Sequence, residues 1–119
     1  MIKIIALLKR RPGMSFDEFV DYYENNHAPL AVAHMAGAQR YVRQYLRPLD
    51  GKESFDVEPP IDVVTQLWIE DQKSADAIFA RLAEPSVAAA ITADEALLFD
   101  TSSIRVFRVD ERDSVIPAQ

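Results

Sequence analysis

Cysteine is absent from the 119-residue chain. Its absence removes thiol nucleophiles, thiolate metal sites and disulfides together. Glycine is scarce, and the three glycines at positions 13, 37 and 51 stand too far apart for the G-x-G-x-x-G turn that cradles a dinucleotide. The G-x-S-x-G and P-loop patterns are missing as well. The two histidines, His27 and His34, are seven residues apart with a proline between them, which is no zinc-ligand spacing. No apolar run approaches the ~20 residues of a membrane span. Positive charge is also in short supply: 13 Lys and Arg face 19 Asp and Glu, for a net charge of -6 and a pI of about 4.8. An acidic surface repels phosphate backbones and anionic headgroups, so neither nucleic acid nor membrane is an expected partner.

Hydrophobic residues make up 49% of the chain and charged ones 27%, a globular composition. The length suits one domain over residues 1–119, with "DERDSVIPAQ" (110–119) as a polar tail. At the amino terminus, "MIKIIALLKRRPG" places its basic cluster after the apolar run. A secretory leader has the reverse order, so a strand entering a turn is expected and the cytoplasm is the expected location.

Periodicity supplies the remaining elements. Ile2–Leu8 is apolar on both parities apart from Lys3. In "SFDE", Ser15 and Glu18 form a capping-box pattern. Phe16, Phe19, Val20 and Tyr23 then mark one helical face. At about 100° per residue, His27 lies roughly 20° from Phe16 on that face. Pro29 disfavours helical geometry at Ala28, so the regular helix is expected to end near His27, leaving His34 in the following loop. Residues 38–47 alternate as an edge strand, and a polar loop over 48–60 has the length of a lid. Ile61–Ile69 is a strand apolar on both parities. Helical stretches cover 71–83 and 84–99, and Ser103–Val109 closes the chain as a strand.

The order β-α-β-β-α-β, with a split second helix, implies an α+β class and a ferredoxin-like antiparallel sheet with helices on one face. The two runs expected at the centre are apolar on both parities, so the second face needs a cover. A face-to-face homodimer is the expected one.

"LLKRRPGMSFDEFVDYYENNHAPLA" resembles the amino-terminal signature of the EthD domain, with "PIDVVTQLWIED" and "EPSVAAAITADEALLFDTSSIRVF" similar to its later blocks. The resemblance implies a dimeric α+β barrel. Its superfamily includes isomerases, cyclases, dehydratases, cofactor-free monooxygenases and haem-binding branches. It carries the family histidine onto His27, the proline onto Pro29, an acidic residue onto Asp62, a tryptophan onto Trp68, and an "ADE…FD" motif onto Ala93, Asp94, Glu95, Phe99 and Asp100. Tyr23 stands where the family usually has a bulky aromatic, often Trp.

The expected site follows from these residues. Histidine, with an ordinary pKa near 6.5, suits proton transfer at cellular pH. His27 is therefore the expected base or acid, Asp62 its partner and Tyr23 an oxyanion donor. Tyr22, Gln66, Trp68 and Phe19 are the expected substrate contacts, if the parity of Asp62, Val64, Gln66 and Trp68 faces the cavity. The bland readings stay open beside these. His27 can cap a helix end, Asp62 can form a turn, and Tyr23 can be core. Asp94 and Glu95 are expected to be exposed. The expected function is cofactor-free acid–base chemistry on a small hydrophobic carbonyl, enol or aromatic compound. The alternatives are an oxidoreductase or oxygenase accessory, with haem held by His27 or His34, and a non-catalytic binding dimer. No metal and no cofactor are expected.

Overall fold

The computed structural model describes residues 1–119 and bears out the α+β class. Strand β1 (Ile2–Leu8) leads to α1 (Phe16–Tyr22), a π-helical segment (Tyr23–His27) and α2 (Ala28–Val32). Strands β2 (Ala38–Tyr45) and β3 (Val63–Ile69) follow, then α3 (Gln72–Leu82), α4 (Pro85–Leu98), a 3-10 turn (Thr101–Ser103) and β4 (Arg105–Arg108). The four strands run in the order β2-β3-β1-β4, and every pairing is antiparallel. The two doubly apolar strands, β1 and β3, occupy the centre as their sequences require.

Local chemistry sets the helix starts. Ser15 accepts from the Glu18 amide while Glu18 caps Ser15 in return, closing the capping box. Asp71 accepts from the Ser74 amide at the start of α3, and Pro85 opens α4, where its missing N–H costs nothing.

The first helix does not stop at His27. Regular α geometry ends at Tyr22, the chain widens into the π segment, and helix resumes at Ala28 with Pro29 in its first turn. Ala28 keeps helical angles and its N–H reaches the Tyr23 carbonyl, five residues back. The wider turn makes room for a proline ring that an α-helix would exclude.

Two apolar clusters hold the helices on the sheet. One gathers Leu8, Phe19, Tyr23, Ala28, Val63, Leu98 and Phe99, and the other Ile2, Leu67, Ile69, Ala75 and Ile78. Tyr41 touches both. The opposite sheet face bears Ile5, Leu7, Val42, Val64 and Phe107 with no helix over them, as the pairings of Ile5 with Gln66 and Phe107 place it.

Candidate active site

Between the two clusters lies a cavity of about 370 Å³. Its floor is sheet (Ile4, Ala6, Thr65, Leu67), and its walls come from the π segment, Met35 and α4. Most of the lining is apolar. The polar groups that reach it are Tyr23, His27, Tyr41, Thr65, Thr92 and Glu95.

His27 is buried, with its ring edge-on to Tyr23 and Phe99. Its Nδ1 lies 2.7 Å from Asp94 Oδ2. The other Asp94 oxygen accepts from the Tyr22 hydroxyl at 2.5 Å, so the carboxylate is fixed at both ends. A carboxylate only accepts, so the proton of the His27–Asp94 bond sits on Nδ1, and in the neutral ring the Nε2 lone pair is left free beside the cavity. Such a pair can serve as a base and the group that orients it. The bond to Asp94 also pushes the Tyr22 phenol above its ordinary range.

A second network lies on the floor. The Tyr23 hydroxyl shares a hydrogen bond with Thr65 Oγ1 at 2.6 Å and another with the Tyr41 hydroxyl at 3.3 Å. Burial raises both phenols, so they stay protonated and serve as neutral donors. Glu95 is half-buried at the wall, and burial, with the adjacent Asp94 charge, raises its carboxyl despite the opposing influence of His27. No three His, Asp or Glu side chains converge in a metal-binding geometry.

A model of the EthD domain matches residues 11–102 of the sequence. The chain belongs to the EthD family. Similar solved structures include an ethyl tert-butyl ether D (EthD) family protein of Bacillus halodurans C-125. That pair is 16% identical over 94% of this chain and 100% of the other, with a TM-score of 0.62. At3g17210 of Arabidopsis thaliana is 9% identical over 98% of this chain and 100% of its own, with a TM-score of 0.63. HapK of Hahella chejuensis is 15% identical over all of both chains, with a TM-score of 0.61. At such identities the likeness is one of fold. None of the curated proteins matches this EthD chain.

Of the site residues expected from the sequence, His27 and Tyr23 meet at the cavity of this EthD domain, and Tyr22 stands behind it on Asp94. The others lie elsewhere. Asp62 does not partner His27: it precedes β3, 2% exposed, accepting from the Arg10 amide at 2.9 Å and lying 3.2 Å from Lys9 Nζ. Asp94 takes the expected place. Gln66 and Trp68 face the uncovered side of the sheet, because the inward parity of β3 is Val63, Thr65, Leu67 and Ile69. Gln66 bonds Gln44, and the Trp68 ring lies between Lys3 and Arg40. Phe19 is fully buried core and does not line the cavity. The 48–60 loop is no lid on this cavity, since none of its residues lines it. Glu58 instead ties the loop to Lys9 and Arg10.

Tyr41, Thr65 and Thr92 are absent from the sequence expectation, and Asp94 and Glu95 enter it only through the family motif, not as site residues. Asp94 and Glu95, expected to be exposed, are both partly buried. One signal was there: they are the only charges in the whole of α4, "PSVAAAITADEALL". Two carboxylates on an otherwise apolar helix have somewhere to point.

Proposed function

We propose that this EthD protein is an acid–base enzyme acting, without a bound cofactor, on a small hydrophobic carbonyl or enol compound. The observation that carries the reading is the His27–Asp94 bond at the wall of an apolar cavity. Nε2 removes a proton from a carbon beside the carbonyl, Asp94 keeps the ring in the required tautomer and stabilises the imidazolium, and the Tyr41–Tyr23–Thr65 hydroxyls supply neutral donors for the developing oxyanion. Return of the proton to a different carbon gives isomerisation, and ring closure or loss of water starts from the same enol.

We also propose that the working form is a homodimer joined through the uncovered sheet face. Ile5, Leu7, Val42, Val64 and Phe107 form an apolar surface there, and a soluble chain rarely leaves such a patch open. A self-complementary face across a two-fold axis closes it.

The test is turnover of uncharged cyclic ketones, enones and enols, followed by NMR for proton exchange and double-bond migration. His27→Gln is expected to lower the rate ~10²–10⁴-fold, the usual weight of a general base, with the melting temperature held. Compounds that bind without turnover, and whose affinity alone changes in His27→Gln, would make the protein a carrier.

A further inference from the structure

Glu95 is the one carboxyl that lines the cavity. The influences acting on it are burial and the charges of His27 and Asp94, with no hydrogen bond among them. Asp94, one residue earlier, is by contrast spent on His27 and Tyr22. A half-buried carboxyl without a partner, sharing an apolar chamber with a free imidazole nitrogen, is costly to keep for structure alone. The geometry points to Glu95 as the general acid that works opposite His27, giving its proton to the substrate oxygen as His27 takes one from carbon.

The inference rests on the reading of His27 as a base. The step balances with no further reactant. The C–H pair becomes the C=C bond of an enol, and the carbonyl π pair takes the Glu95 proton. Carboxylate and imidazolium remain. When the enol collapses, Glu95 recovers the hydroxyl proton and the imidazolium returns its own to carbon.

The groups facing Glu95 make this division of labour coherent. From the π segment come His27 and Tyr23, from β2 Tyr41, and from its own helix Asp94. Met35 and Leu82 close other parts of the wall, and no lysine or arginine lines the cavity. Burial, the largest influence, and the Asp94 charge favour the protonated carboxyl, and a charged His27 opposes them. The same lining defines the substrate class: a carboxylate or phosphate would find no lysine or arginine to pair it, so the compound is uncharged.

The test follows α-proton exchange of 2-tetralone, a small uncharged ketone, into D2O by NMR from pH 4 to 9. Wild type, Glu95→Gln and His27→Gln are compared, with melting curves for each. Glu95→Gln is expected to lose ~10²-fold or more in rate, within the usual range for a general acid, and to lose one limb of the pH profile, while melting no lower than wild type. If Glu95→Gln exchanges at the wild-type rate across the range while His27→Gln is inactive, the role of Glu95 is overturned and the His27 reading stands. If His27→Gln matches wild type, or wild type gives no exchange above background, both fall. Loss of one limb is the result a merely structural Glu95 would not give.

Discussion

At the residue scale, the carboxylates of this chain divide by what surrounds them. Asp62 is a structural anion: buried, it accepts from the Arg10 amide and lies beside Lys9 and Arg10 at the end of β1. Asp62→Asn is expected to destabilise the fold by about 1.5–3 kcal/mol, the range for a hydrogen bond to a charged group, while leaving the chemistry proposed for His27 intact. Urea melts and a proton-exchange assay on the same sample check both halves. Glu95 behaves in the opposite way. Its carboxyl is raised in the folded chain, so the folded state resists its ionisation. Stability linked to Glu95 is therefore full below the ordinary carboxylate range and declines as pH rises through the raised value. Glu95→Gln, which has no charge to bury, is expected to raise the melting temperature at pH 7–8 and to change it little near pH 4. Calorimetry at the two pH values decides it. Equal shifts at both would mean that charge burial is not the cause.

At the element scale, the π segment is the feature that most directly sets the site. It carries Tyr23 at one end and His27 at the other, both buried. It is held to the sheet from outside: Arg43 on β2 donates through Nε and Nη2 to Glu24, and Tyr45 donates to the same carboxylate. Arg43 lowers the Glu24 carboxyl below its ordinary value, against the opposing effect of burial. The stabilisation is therefore present above the ordinary carboxylate pKa and is lost as pH falls through the lowered one. Glu24 is partly exposed, so solvent screening limits the effect of Glu24→Gln to about 1 kcal/mol or less at pH 7. The same change is expected to speed amide exchange in Tyr23–His27 more than in α3, which hydrogen-exchange measurements resolve.

The elements also show what a sequence can and cannot disclose. The capping box at Ser15, the central place of β1 and β3, and the apolar stripe of the first helix were all legible, because each is a local pattern with a local cause. The inward parity of β3 was not. Val63 and Val64, like Leu67 and Trp68, make both parities apolar, and only the pairing of Thr65 with Ala6 over the helices settles which one faces in. The partner of His27 was hidden for a different reason. Asp94 lies 67 residues away in sequence, and nothing near His27 encodes a contact made by the packing of α4. Pro29 signals a stop because proline disfavours helical geometry at the residue before it, yet Ala28 keeps that geometry at the end of the wider π turn.

At the scale of the whole molecule, one face of the sheet carries the helices and the cavity, while the other sets apolar residues among polar ones with no helix over it. Ile5 stands near the middle of that face, paired across to Gln66 on one side and Phe107 on the other. With the homodimer proposed above, Ile5→Lys is expected to turn a dimer into a monomer in sedimentation equilibrium and to lower the melting temperature. An unchanged mass would remove this face from the assembly. Val106 of the edge strand β4 lines the cavity and is 61% exposed, so the cavity reaches the sheet edge.

The most direct measurement is a long-range 1H–15N correlation spectrum of the neutral His27 ring, with His34→Gln for assignment, recorded free and with 2-tetralone. The proton is expected on Nδ1, held by Asp94. The Nε2 signal is expected to move when the ketone binds, and Asp94→Asn is expected to scramble the tautomer. A proton on Nε2, or an Nε2 signal that ignores the bound ketone, would contradict the assignment of His27 as the base of this site.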